Sequence, residues 1–272
     1  LTTPDCAVFY TPVYRLIFSL YANHLASQQI DRLVEAKDRA SVQSCAFNTK
    51  NIVLIIGESL GRHHSQQYGY FMKTTPRQIA LEKAGNLIPF TDVVAPWNLT
   101  SFVFKNIFSM HVVGQKGEWC DYPLFPQLFR KAGYHVSFIT NQFLPQAKEA
   151  VYDFSGGFFL NNKELSKSMF DTRNTRLHTY DEGLLADYDN RLKAENREYN
   201  LIIFHLIGCH VSYNRRYPAD RKHFKASDYK QKRPELTLQR RYMLAHYDNA
   251  VLYNDSIVNQ IVKRFANEEA VV

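Results

Sequence analysis

Four residues of this sequence have the types and settings that chemistry needs: Glu58, Thr100, His205 and His210. Glu58 follows Gly57 at the end of an apolar run, NIVLII at 51–56. A carboxylate at the lip of a strand is a hard oxygen donor suited to a divalent metal. The same carboxylate could instead favour the start of a helix through its dipole. Thr100 comes after the loop Ala95-Pro96-Trp97-Asn98-Leu99 and opens TSFVFKNIFSM, whose spacing predicts a helix over 100–110. A hydroxyl there either caps the helix or is a nucleophile stabilised by a metal and by the helix N-terminus. His205 and His210 stand five residues apart where NLIIFHLIG at 200–208 runs out. Each is either a hydrogen-bonded internal residue or a ligand. His63 and His64 are expected on a helix after Glu58, at least one facing solvent. GESLG at 57–61 lacks the GK[ST] of a phosphate loop and is not the GxSxG of a nucleophile elbow.

The elements that must position these residues read as an α/β pattern. NIVLII, YHVSFIT at 134–140 and NLIIFHLIG are runs rich in β-branched residues, the mark of parallel strands buried on both faces. NLIPFTDVVAP at 86–96 is a further strand by the same criterion, and EEAVV at the end begins another. NIVLII is expected at the centre of the sheet, with Gly57 permitting the sharp turn. Helical spacing covers 15–40, 75–85 (Pro inside a Thr cap, closed by Gly), 123–133, 182–196 and 236–267. Strands alternating with helices imply a mostly parallel central sheet sandwiched by helices. Sites in such sheets form beyond the carboxyl ends of the strands, where Glu58, Thr100 and His210 all fall.

Of the 272 residues, 45% are apolar and 22% charged, which is globular composition able to bury a core. The net charge of +7 favours an anionic partner. The basic run at 214–241 carries acids too and matches no finger, RRM or basic-zipper pattern, so a solvated face is preferred over nucleic-acid binding. No apolar run reaches the length of a membrane span. Residues 8–24 are aromatic and apolar, fit to lie on a membrane surface or to pack on the domain. Cys6, Cys45, Cys120 and Cys209 lack any CxxC pairing, leaving disulfides and buried thiols both open. The expected division is an amphipathic, juxtamembrane segment at 1–48 and a catalytic domain at 49–272.

Four stretches in order resemble the phosphoethanolamine transferases of bacterial envelopes, within the sulfatase and alkaline-phosphatase-like superfamily. They are IGESLGRHHSQQYGYFMKTTPRQ at 56–78, APWNLTSFVFKNIFSM at 95–110, FHLIGCHVSYNRRYP at 204–218 and YDNAVLYNDSIVNQIV at 247–262. The resemblance implies zinc as cofactor, Glu58 as a zinc ligand, and Thr100 as both a zinc ligand and the nucleophile that carries the group. It places His210 on the substrate phosphate, with Cys209 where the family has Ser. Charge alone, apart from the resemblance, sets Arg215, Arg216 and the basic run beyond them toward anionic head groups. The implied reaction moves phosphoethanolamine from phosphatidylethanolamine to lipid A or another envelope glycan, at the periplasmic side of the inner membrane. A phosphodiesterase or other hydrolase of the superfamily, and a non-catalytic domain binding anionic glycan, are the alternatives. A formylglycine sulfatase is disfavoured because that chemistry starts from Cys or Ser.

Trp97 and Leu99 depart from the family's small, polar loop before the threonine. The family's Asp-His zinc pair, in a D-H-G motif, is absent from these 272 residues, which stop where that strand would start. The fold is therefore expected to be C-terminally incomplete. Zinc prefers four ligands, so this chain is expected to hold it weakly and to be inactive by itself.

Overall fold

The computed structural model describes residues 12–142, 144 and 159–272. Cys6 and the first residues of the 8–24 segment lie outside them. The strands are β1 (Asn51–Ile56), β2 (His135–Thr140), β3 (Thr172–Arg173), β4 (Asn200–His205) and β5 (Ala270–Val271). They form one parallel sheet in the order β3-β2-β4-β1-β5. β4 pairs over its whole length with β1 on one side and β2 on the other.

The centre of the sheet is therefore β4, not β1 as its sequence suggested. All six residues of β2 and of β4 are buried, whereas in β1 only Val53 is. The cause is on the outer side of β1, where β5 pairs only with Asn51 and Ile52. The segment 86–96 forms no strand; Ile88, Phe90, Val93 and Val94 are exposed there.

Alternation along the strands gives the sheet two apolar faces. Val136 and Phe138 of β2 and Leu201 and Ile203 of β4 point to one face. They pack on α1 (Pro12–Arg39), α3 (Thr100–Phe108) and α5 (Lys163–Met169) through Leu33, Phe104, Phe108, Leu165 and Met169. Ile202 and Phe204 point the other way, onto Leu184 and Tyr188 of α6 (Glu182–Asn190) and Val251, Ile257, Ile261 and Phe265 of α7 (Leu238–Phe265). Between α3 and β2 runs α4 (Phe125–Ala132), closed by Gly133 in the left-handed region at φ 102°.

The remaining helix, α2 (Pro76–Lys83), has Thr75 at its N-cap position, but the Thr75 side chain does not cap it. The carboxylate of Asp255, fully buried on α7, accepts from the backbone N–H groups of Arg77 and Gln78 at 3.0 Å each. The cap comes from tertiary structure because Thr75 Oγ1 is engaged with Gln66 N–H at 3.0 Å and Gln67 Oε1 at 2.6 Å.

α1 is held by its second half. Leu33 and Ala36 are buried, while Leu16, Ile17 and Leu20 near its start are exposed. Arg32 pairs with Glu118 at 2.5 Å and Asp121 at 2.6 Å, and Lys37 with Glu164 at 2.7 Å. Pairs at this degree of exposure contribute about 0–1 kcal/mol each, so the apolar contact decides the docking. Leu33→Ala should lower the unfolding free energy by about 2–5 kcal/mol, read by urea denaturation. A loss within about 0.5 kcal/mol, the range of an ordinary surface substitution, would show that α1 does not belong to the cooperative unit.

Candidate active site

β1 and β4 end side by side, Ile56 opposite His205, and their exit loops cross at once. Leu206 N–H donates to Ile56 O and Cys209 N–H to Glu58 O, both at 2.9 Å. Gly208 sits at φ 50°, and a Cβ on it would come within 2.9 Å of both the N and the O of Glu58. Only glycine fits there, because the obstacle is backbone. Gly57, by contrast, would meet nothing within 4 Å. The left-handed residue of the first loop is Ser59, at φ 52°, a conformation that costs a non-glycine residue free energy.

Asp181, buried beneath the second loop, sets its course. Its carboxylate accepts from the N–H groups of Ile207 and Gly208 and from Asn141 Nδ2, all at 2.9 Å. Burial pushes its pKa up, while these three bonds act in the opposite direction.

The first loop leads to the central contact. Thr100 Oγ1 donates to Glu58 Oε2 at 2.7 Å, and Ser59 Oγ donates to Glu58 Oε1 at 2.7 Å. Neither Glu58 nor Thr100 caps a helix with its side chain. After Glu58 the chain makes only short 3-10 turns, at Arg62–His64 and Gln66–Tyr68, so His63 and His64 are not on an α-helix. Thr100 is the first residue of α3, and its hydroxyl is turned to the carboxylate. These two oxygen donors fit one side of a zinc site, where a carboxylate and a hydroxyl share a cation. Among the described residues no group of three or more His, Cys, Asp or Glu is placed to hold a metal, so they do not by themselves complete a four-coordinate site.

The two histidines of the third strand separate. His205 is fully buried, between Thr140 Oγ1 at 2.9 Å from Nδ1 and Gln142 Nε2 at 3.3 Å from Nε2. Its ring packs 4.7 Å from that of Phe104, and it is a core residue. His210 lies two residues past the Gly208 crossing and is partly exposed. Its backbone is fixed at both ends: its N–H donates to Ile207 O at 3.1 Å and its carbonyl accepts from Arg216 Nε at 3.2 Å. Arg216 also donates to Val211 O at 3.1 Å, which leaves the neighbouring Arg215 as the exposed arginine of the pair. Cys120 and Cys209 are buried free thiols and Cys45 is a partly buried one; burial pushes the Cys209 pKa well up.

Sequence reasoning gives Tyr247 and Asp248 no role at this site and His64 only a place on a helix after Glu58. Tyr247, His64 and Asp248 stand together beside the first loop, and Tyr247 bonds its backbone. They come from segments about 180 positions apart, and no local pattern marks their meeting.

A family model described as Sulfatase matches residues 50–271, which take in the sheet, both loops and α7. The chain belongs to the sulfatase family. It is 30% identical over 217 residues to phosphoethanolamine transferase EptC of Escherichia coli O18:K1:H7, an alignment covering 79% of this chain and 37% of that protein. The chain thus spans well under half the length of the curated relatives it matches. The crystal structure of the C-terminal periplasmic domain of EcEptC from Escherichia coli, in complex with zinc, superposes with a TM-score of 0.66 at 28% identity. That superposition covers 80% of this chain and 59% of the other. The soluble domain of lipooligosaccharide phosphoethanolamine transferase A from Neisseria meningitidis shares the fold at 19% identity, with a TM-score of 0.63.

Burial depresses the pKa of His205 from 6.5 to about 3. The unfolded chain binds a proton near the upper value and the folded chain does not, so stability contributed by the neutral ring is lost as pH falls through this window. His205→Gln removes that ionisation. Stability measured by denaturant titration between pH 6.5 and 4 should fall less steeply in the variant, and an unchanged slope would contradict the assignment.

Proposed function

We propose that the complete protein transfers phosphoethanolamine from phosphatidylethanolamine to lipid A or another envelope glycan at the periplasmic face of the inner membrane, through a phosphorylated Thr100. The hydrogen bond from Thr100 Oγ1 to Glu58 Oε2 carries the proposal. It brings a hydroxyl and a carboxylate together at the ends of two different elements, 42 residues apart in sequence. Similarity to named phosphoethanolamine transferases supports the group transferred, and the zinc complex of the EcEptC domain supports the metal.

Zinc, held by Glu58, by Thr100 and by further ligands, would lower the pKa of the threonine hydroxyl and offset negative charge on the phosphoryl group. Thr100 Oγ1 attacks phosphorus, forming the Oγ–P bond as the bond from phosphorus to the diacylglycerol oxygen breaks. Diacylglycerol leaves as the alcohol, taking a proton. A hydroxyl or phosphate oxygen of the acceptor then attacks the same phosphorus and releases Thr100. His210 is assigned to the phosphoryl oxygens or to protonation of a leaving oxygen, since its backbone is fixed and its ring is partly open. Arg215, exposed beside it, is assigned to anionic head groups.

In the complete protein Thr100→Ala should reduce transfer by at least about 1,000-fold, the scale seen when a covalent nucleophile is removed, while zinc stays bound through the other ligands. Transfer to lipid A read by mass spectrometry at wild-type level in this variant would reject Thr100 as the nucleophile.

A further inference from the structure

Ser59, the residue after Glu58, is held in the left-handed region, and something must keep it there. The hydroxyl of Tyr247 accepts from Gly61 N–H at 2.6 Å and donates to Ser59 O at 2.7 Å. One side-chain oxygen therefore closes the loop over two peptide groups that nothing local joins. Burial pushes the Tyr247 pKa up, keeping the proton that the second bond requires.

The Tyr247 ring is itself placed by its neighbours. The His64 ring meets it edge-on at 4.7 Å, and the ring of Tyr213 lies 4.9 Å away. His64 Nδ1 is 2.7 Å from Oδ1 of the fully buried Asp248. The other oxygen of Asp248 accepts from Tyr70 at 2.6 Å and from Tyr229 at 2.5 Å. Among the described residues three side chains thus converge on this carboxylate, and one of them is the imidazole that backs Tyr247.

We propose that Tyr247, buttressed by His64 and Asp248, is the positioning residue that holds the Gly57–Gly61 loop so that Glu58 meets Thr100 and presents its carboxylate to the metal. This rests on the assignment of Glu58 and Thr100 as zinc ligand and nucleophile. Tyr247→Phe keeps the ring and its packing and deletes both bonds to the loop. Loss of such outer contacts lowers metal affinity or activity by about 10–100-fold.

In the complete protein Tyr247→Phe should bind zinc about 10–100-fold more weakly in competition with a chelator. Its kcat should fall in step with little change in KM for phosphatidylethanolamine, and added zinc should restore kcat. In the chain itself, where no zinc is needed, the Gly61 amide should exchange with deuterium faster than in wild type. Tyr188→Phe, which strips a different buried hydroxyl of its 2.9 Å bond from Asn196, serves as the control and should leave zinc affinity unchanged. Zinc affinity and Gly61 exchange within twofold of wild type in Tyr247→Phe, or an equal loss of zinc in the control, would overturn the proposal. Thr100→Ala separates the two claims: if transfer persists in it the proposed function fails, while zinc affinity and exchange still decide the role of Tyr247.

Discussion

Where β1 and β4 leave the sheet, their loops run so close that no methyl group fits between them. The would-be Cβ of Gly208 stands 2.9 Å from two backbone atoms of Glu58, and the Cys209 amide bonds the Glu58 carbonyl. Because the obstacle is main chain, neither loop can shift without the other. Glu58 inherits its position from this crossing, and so does His210, two residues beyond it. Asp181 reinforces the arrangement from below by taking the N–H groups of Ile207 and Gly208, so the crossing is hydrogen-bonded on both sides.

α7 supplies the other fixed reference. Its apolar residues pack on the sheet, yet the same helix buries Asp248, Asn249, Asn254 and Asp255. Buried polar groups are costly unless bonded, and three of these spend their bonds on segments far away in the chain. Asp255 caps α2, Asn249 accepts from the His223 and Phe224 amides at 2.6 and 2.8 Å, and Asp248 gathers His64, Tyr70 and Tyr229. Tyr247, one residue before Asp248, extends the same device to the loop that bears Glu58. The site thus stands between two rigid pieces, the strand ends and the buried polar face of α7.

The strands and most helices were legible in the sequence because each is built from a local pattern: continuous apolar runs for β1, β2 and β4, helical spacing for α1 and α7. Glu58 and Thr100 were legible as residues at element ends, but residue type left capping and chemistry both open. Only the 2.7 Å contact between them separates the two, since a hydroxyl bonded to a remote carboxylate is not capping its own helix. The expectations that failed depended on tertiary context. The run 86–96 looks like a strand, but no neighbour pairs with it. Thr75 looks like a cap, but Asp255 takes that role from α7. Gly57 looked like the hinge, whereas Ser59 carries the left-handed turn, and Tyr247 bonds the loop on both sides of it. For His205 and His210 residue type left an internal role and a ligand role both open, and burial makes the first a core residue.

A fold does not fix a reaction, so membership of the sulfatase family does not by itself choose between transfer and simple hydrolysis. The choice rests on what discharges the group from the proposed nucleophile: a Thr100 adduct that waits for the glycan acceptor marks a transferase, and one discharged by water marks a hydrolase. The direct measurement is to incubate the complete protein with phosphatidylethanolamine and no acceptor, digest it, and weigh the peptide that contains Thr100. The proposed transfer predicts a gain equal to one phosphoethanolamine group, located on Thr100 and discharged when acceptor is added. A gain on another residue, or transfer to acceptor with Thr100 never modified, would contradict it.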